Sequence, residues 1–335
     1  MDKCVQQPKY LSLLIVLLVL LCSFSFPVLA KKILVIESYH SGYEWTVGYK
    51  KALRDALEPE HELVFFEMDT KRIKKSRIST KAELAWLTYK EQMPDLVILT
   101  DDNALKYLGH RFASTQTPVV YLGINNNPRN YIPQGSKNIT GVLERPLIKR
   151  SIMSITEIIP STKKILVLFD SGITAHTLIE SAFDNKTVTK ISHVNVDVKL
   201  IESYALWKKE IQQASSNGYD AIIVGLYHTL IDGHGLHVSD IDVINWTSKR
   251  SDVPIFALWD FAVGKDKTVG GLVLQSYEQG SAAATLVKQI FTGRPPHLLR
   301  PITAVNGKYV FSQSALERYN LNLPVKIAHF TDWIE

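Results

Sequence analysis

Short runs of consecutive apolar residues alternate along this chain with longer segments whose apolar residues return every three or four positions. Lys32–Tyr39 (KILVIESY) reads as a buried strand by its consecutive branched residues. The spacing then predicts a helix over Glu44–Leu57, with Trp45, Tyr49, Leu53, Ala56 and Leu57 on one face. His61–Asp69 is a second strand and Thr80–Gln92 a second helix. Asp95–Asp101 (DLVILTD) is a third strand, followed by a short helix from Asn103, and Pro118–Asn125 (PVVYLGIN) is a fourth. Thr140–Glu144 is a further short strand before Pro146.

The pattern then restarts. Leu147–Ile159 is amphipathic through Ile148, Ile152, Ile155 and Ile159. Strands at Lys163–Asp170, Val194–Ile201, Asp220–Tyr227 and Pro254–Trp259 alternate with helices at Thr174–Phe183, Tyr204–Ser215 and Ser239–Arg250. Gly271–Gln275 and a helix over Glu278–Phe291 close the series, and the tail Pro301–Pro324 holds a hairpin-like segment and a helix. Strands that are apolar throughout and alternate with helices indicate parallel sheets covered on both faces, and their number allows two such sheets.

The N-terminal segment breaks this alternation. Leu11–Phe26 (LSLLIVLLVLLCSFSF) is uncharged, follows Lys3 and Lys9, breaks at Pro27 and ends in Val28-Leu29-Ala30. That is the order of a secretory signal, so residues 1–30 are expected to be removed after Ala30 and the mature chain to be periplasmic. An uncleaved anchor is the competing expectation, because the run approaches the roughly 20 residues of a spanning helix. Leu21 before Cys22 argues against a lipid-attachment site, which needs a small residue there. Both cysteines, Cys4 and Cys22, leave with the segment, which excludes thiol catalysis, disulfides and cysteine metal sites from the mature protein. A net charge of +5 over 335 residues is too mild to argue for a nucleic-acid partner.

In open parallel sheets, ligands bind beyond the carboxyl ends of the strands. The loop after the first strand is the richest, with Tyr39, His40, Tyr43, Glu44 and Trp45. Aromatic faces there offer stacking area and His40 a polar contact, although Trp45 also lies in the helical stripe that would build the core. After the third strand come Asp101, Asp102 and Asn103, of which one is expected to cap the following helix. Adjacent carboxylates at a strand end point apart, which argues against a glycosidase pair. After the fourth strand, Gly123, Asn125 and Asn126 allow close approach and amide hydrogen bonds. The second half contributes Asp170, Tyr227, His228, Trp259 and Asp260, with Asp170 and Asp260 either binding an ammonium or capping helices; Glu144 and Tyr277 are lesser candidates.

Other motifs carry less. His228, His234 and His237 lie in a glycine-containing loop without an accompanying carboxylate–His motif, so no metal is expected. The basic run Lys71–Arg77 (KRIKKSR) reads as a solvated turn. No Gly-x-Ser-x-Gly elbow, Walker loop, dinucleotide fingerprint or zinc-protease helix occurs, so no cofactor is expected and binding is favoured over catalysis. A secreted hydrolase using Asp101 or His40 is the rival of another class.

Several blocks together resemble the ABC-transporter substrate-binding family of type I periplasmic binding proteins, in the group that includes tryptophan and tyrosine binders. They are Ser38–Trp45, Asp95–Asp101, Pro118–Asn125 with Asn127-Pro128, Asn138-Ile139-Thr140-Gly141-Val142, Gly270-Gly271, Tyr277, Gly280, Gly293–Pro296, Asn306 and Ala315–Pro324. Asn127 stands where many members carry Asp. The resemblance implies two doubly wound, Rossmann-like lobes joined by three crossovers, near Glu144–Pro146, Asp260–Gly270 and Pro295–Pro301. Lobe one would then be residues 31–144 plus 270–296, and lobe two 145–269 plus 297–335. It further implies a monomer that closes on a small organic ligand, an amino acid or similar zwitterion being favoured, and delivers it to a membrane ABC permease. Ser38–Trp45 also resembles sensing domains fused to histidine kinases and diguanylate cyclases, so a membrane sensor is the alternative partner.

Overall fold

A computed structural model describes residues 30–304 and 306–335. The expected signal segment, apart from Ala30, lies outside the described residues. Among them, no helix is long and apolar enough to cross a membrane.

The first half runs β1 (Lys32–Glu37), α1 (Glu44–Leu57), β2 (Glu62–Glu67), α2 (Ile78–Gln92), β3 (Leu96–Thr100), α3 (Asp101–Phe112), β4 (Val119–Ile124) and β5 (Ile139–Glu144). The second runs α4 (Ile148–Ile158), β6 (Lys164–Asp170), α5 (Ile173–Phe183), β7 (Val188–Ile191), β8 (Val194–Ile201), α6 (Tyr204–Gln212), β9 (Ala221–Val224), α7 (Asp240–Arg250), β10 (Ile255–Ala257) and β11 (Gly270–Val273). The remainder holds α8 (Ser276–Phe291), β12 (Ile302–Ala304), β13 (Lys308–Ser312), α9 (Gln313–Arg318), α10 (Val325–Ala328) and β14 (Thr331–Ile334).

These strands form two sheets, of order β12-β5-β4-β3-β1-β2 and β14-β13-β11-β10-β9-β6-β8-β7. The first is parallel throughout; the second is parallel except where β7 meets β8 and β11 meets β13. Central strands are buried on both faces, as consecutive branched residues require: Ile33–Ile36, Leu96–Leu99 and Ile165–Phe169 are all fully inaccessible. α4 buries Ile148, Ile152 and Ile155 beside the second sheet, and its stripe ends at the half-buried Ile159. α8 lies on α1, where Gly280 meets the Tyr49 backbone so closely that a Cβ would sit 2.4 Å from the Tyr49 oxygen.

Two expected crossovers move. β11 pairs with β10 and β13, so residues 270–273 belong to the second lobe, and the chain enters the first lobe only with α8. Gly270 is required in that slot, because a Cβ there would lie 2.2 Å from the Val310 oxygen. β12 then extends the first sheet by pairing with β5, so the return crossover falls after Ala304 rather than near Pro295–Pro301. For the same reason β12 and β13 are not a hairpin: they belong to different sheets. The edge strand β7, which carries alternating exposed residues, was not legible as a strand.

The strand order reverses between β1 and β3 in the first sheet and between β6 and β9 in the second. Loops at such reversals diverge and leave a crevice beyond the strand ends. The two crevices face one another.

Candidate functional site

Where the loops meet, a narrow chamber with a cavity volume of only about 10 Å³, room for little more than a water molecule with the lobes so close together, is lined from both lobes. The first lobe supplies Tyr39, Tyr43, Trp45, Lys71, Asp101, Asn125 and Glu144; the second supplies Thr174, Leu226, Trp259 and Phe261. Tyr39 and Tyr43 meet edge to face at 5.2 Å, and Trp259 stacks on Phe261 at 6.0 Å. Across the lobes, Tyr43 packs against Phe261 at 5.7 Å and edge-on against the His228 ring at 4.8 Å. These are closed-cleft contacts, because each joins side chains from opposite lobes.

Asp101 is the first residue of α3 and holds a left-handed backbone, φ +60°. Such strain in a non-glycine residue is tolerated where surrounding contacts over-determine it. Two contacts do so here. Trp45 Nε1 donates to Asp101 Oδ1 at 3.0 Å, and Gly123 makes room, since a Cβ there would come within 2.8 Å of the same oxygen. Asp101 does not cap its helix. That task falls to Ser38, whose Oγ accepts from Ala104 N at 2.7 Å and donates to Thr100 O at 2.5 Å. Asp102 turns away and accepts from the backbone N–H groups of Asn125 and Asn126, which holds the β4 loop. The two carboxylates therefore diverge, as expected for neighbours at a strand end.

The chamber is rich in acid. Burial pushes the Glu144 carboxyl up to about 8, against the opposing hydrogen bond from Trp259 Nε1 at 2.6 Å. Burial also raises Asp102 to about 6 and Asp101 well above the usual carboxylate range, with nearby Glu144 adding to the rise at Asp101. Asp101 Oδ2 and Asn125 Oδ1 are buried and without a hydrogen-bond partner among the described residues. Two orphaned acceptors on one small chamber are a demand for a donor.

Beyond Tyr39 and Lys71 the chamber gives onto a larger groove with a cavity volume of about 400 Å³, lined from both lobes by residues that include Asn103, Asp170, Gly172, Thr229 and His237. Asn103 Nδ2 donates to Thr70 Oγ1 at 2.7 Å, while Asn103 Oδ1 and Thr229 Oγ1 are buried without partners.

The structure thus brings Tyr39, Tyr43, Trp45, Asp101, Asn125 and Trp259 together around the chamber, and Asn103 into the groove. Seven other candidates serve differently. His40 sits at the edge of the first loop, half-buried and 6.3 Å from the Tyr43 ring. Asn126 spends its side chain within its own turn, on Tyr131, Asn127 and Asn130. Asp170 borders the groove, but its carboxylate accepts from Gly172, His228 and Thr229 N–H groups and has no oxygen to spare. Tyr227 and His228 form a buried layer behind the aromatic wall, stacked on each other at 4.2 Å. Burial holds His228 well below the usual imidazole range. His237 Nε2 lies 2.9 Å from His228 O, and His234 is exposed. Asp260 opens a short 3₁₀ turn and faces a separate depression beside Glu44 and Gln275, not the chamber. Tyr277 is on the outer surface, donating to Asp55 at 3.1 Å.

Sequence reasoning gave Glu144 little weight and missed Lys71, Thr174, Leu226 and Phe261. Lys71 follows β2, so the rule that selected the other loops applied to this one as well. Phe261 follows Trp259 and Asp260 in a loop already singled out, and its aromatic character was the available signal.

The chain is similar in fold to several solved structures. An ABC domain from Streptococcus pneumonia in complex with L-Trp matches with a TM-score of 0.66 at 17% identity, covering 91% of this chain and 100% of that one. A conserved domain protein from Vibrio cholerae matches with a TM-score of 0.67 at 16% identity, covering 91% and 100%. A ligand-free, open substrate binding protein with adhesive properties from Clostridium difficile matches with a TM-score of 0.67 at 12% identity, covering 91% and 99%. The fold is therefore the two-lobed type I periplasmic binding fold. No functionally curated protein matches the chain. The model of the family described as ABC transporter substrate binding protein matches residues 32–332, and the chain belongs to that family.

Proposed function

We propose that this protein captures a small organic ligand of amino-acid type between its lobes, in the periplasm, and hands the closed complex to its permease. Family membership implies a small-molecule ligand and a membrane ABC permease. The observation that carries the ligand class is the pair of orphaned acceptors, Asp101 Oδ2 and Asn125 Oδ1, inside a chamber walled by aromatic rings. An ammonium group would donate to both oxygens, and ring faces attract a cation while covering an apolar side chain. The solved relative with bound L-Trp supports the same class.

Binding would proceed by closure. Ligand bridging the two lobes would add to the contacts that Tyr43 already makes with His228 and Phe261, so the closed state is favoured by the ligand's differential affinity for it. Arg145, at the crossover, donates to the carbonyls of Ile124, Asn125 and Glu144 at 2.8, 2.9 and 2.6 Å, which ties the β4 and β5 ends together.

The test is a thermal-shift and calorimetric screen of the exported protein against amino acids, nucleosides and small sugars. At 100 times its dissociation constant a ligand adds about 2.7 kcal/mol of stability. Amino acids should give the shifts; a response confined to sugars or nucleosides, or turnover of any binding compound, would overturn the reading. N-terminal sequencing of the exported chain should begin at Lys31.

A further inference from the structure

The basic run Lys71–Arg77 leads into α2, yet its first residue leaves the turn and enters the cleft. Lys71 Nζ stands 4.4 Å from the centroid of the Tyr39 ring and 5.1 Å from that of Tyr43. Lys71 is also one of the few residues that line both the inner chamber and the outer groove, so it stands at the threshold between them. Among the described residues its ammonium has ring faces for company but no hydrogen-bond or ion-pair partner.

Ring faces satisfy the charge of an ammonium but not its three N–H donors. If Lys71 were simply a plug for an acidic chamber, it would pair with Asp101, whose Oδ2 is also without a partner. It does not: no ion pair forms between them within 4.0 Å, and each is left facing the same space. An acceptor oxygen and a cationic donor, unpaired on one continuous cavity, are complementary to a ligand that has both an ammonium and an anionic group. We infer that Lys71 is the anion-binding residue of the cleft, taking the carboxylate of a ligand whose ammonium lies against Asp101 and Asn125.

Burial lowers the basicity of Lys71 against the opposing pull of Asp170, Asp101, Asp240 and Glu144, and a further anionic partner would raise it. Asn103 Oδ1 and Thr229 Oγ1, unpartnered on the groove side, mark where any continuation of the ligand would find polar contacts.

This inference rests on the proposed amino-acid reading, and the experiment separates the two. The mature protein and its Lys71→Met and Lys71→Arg variants would be titrated calorimetrically with L-tryptophan, L-tyrosine and L-phenylalanine. The matching amines without a carboxylate (tryptamine, tyramine and phenethylamine) form the second series. The wild type should prefer amino acid over amine by roughly tenfold or more, as expected for one charge-assisted hydrogen bond. Lys71→Met should weaken the amino acid by roughly ten- to a hundredfold and leave the amine within about twofold, and Lys71→Arg should restore the preference. Tighter amine binding by Lys71→Met would show a plug and overturn the inference. So would equal losses in both series from a variant whose melting temperature is unchanged. Binding of neither series to the wild type would overturn the inference for aromatic ligands, while the wider amino-acid screen alone decides the proposed function.

Discussion

Asp101 and Asp170 occupy matching places in the two lobes. Each comes at the carboxyl end of a strand buried along its apolar run, β3 or β6, at the position where its sheet reverses strand order. Both are almost wholly inaccessible, at 3% and 0% exposure. Their hydrogen bonding differs completely. Asp170 accepts three backbone N–H groups, one from its own turn and two from the β9 loop, and so ties two loops together. Asp101 accepts one indole N–H and keeps its second oxygen unpaired toward the chamber. One strand-end aspartate ties its loops together; the other keeps an acceptor unused.

Substitution should break this comparison most sharply at Asp170. Asp170→Ala leaves three N–H groups without their charged acceptor and should cost about 3–5 kcal/mol in denaturant unfolding. Asp101→Asn should do the reverse. It keeps an oxygen for Trp45, and asparagine tolerates the left-handed backbone, so stability should change by less than about 1 kcal/mol. Ligand affinity, measured by calorimetry, should fall by about 1.5–3 kcal/mol through loss of the charged acceptor. Equal stability losses at both positions would show that the contrast in partners has no energetic meaning.

Glu144 sharpens the comparison through pH. Its carboxyl is raised from 4.5 to about 8 in the folded chain, so the folded state holds a proton that the unfolded chain has released across that window. The stabilising contribution is therefore full below pH 4.5 and is lost as pH rises toward 8. In the ligand-free protein, Glu144→Gln should flatten the fall in melting temperature between those limits. With ligand, the raised carboxyl of Asp101 is drawn toward its ionised form by the ammonium, so binding should release protons and strengthen as pH rises. Calorimetry in buffers of different ionisation enthalpy reads this directly. The smallest effect is expected at Tyr277→Phe, whose exposed hydrogen bond to Asp55 should be worth less than about 0.5 kcal/mol, with ligand affinity unchanged.

Much of the fold was legible because burial writes itself into the spacing of apolar residues: consecutive in the central strands, alternating in β8, and every three or four positions in α1. Glu44–Leu57 and Val194–Ile201 have the same bounds in pattern and in structure. Where hydrophobicity is not the determinant, the pattern failed. β12 has three residues, and nothing in them says which sheet edge they will join. The site was legible to the level of loops but not of side chains. Asp101, Asp170 and Asp260 follow strands in the same manner, and only the backbone N–H groups within reach separate them. Lys71 looked like part of a solvated turn because a run of charge is usually solvated; its neighbours Lys74 and Lys75 are exposed, as that reading expects.

The sequence by itself determined the alternation of strands and helices, in a number that allows two sheets, and so the loops among which ligand-binding residues were to be sought. Those follow from periodicity, which is local. Only the tertiary structure decided which polar atoms are left without partners. Satisfaction of a buried carboxylate or ammonium depends on groups dozens or hundreds of residues away, and Trp259 reaching Glu144 across the lobes is one such case. The chamber is defined by the acceptors and the cation that folding left unpaired, and no local pattern records those.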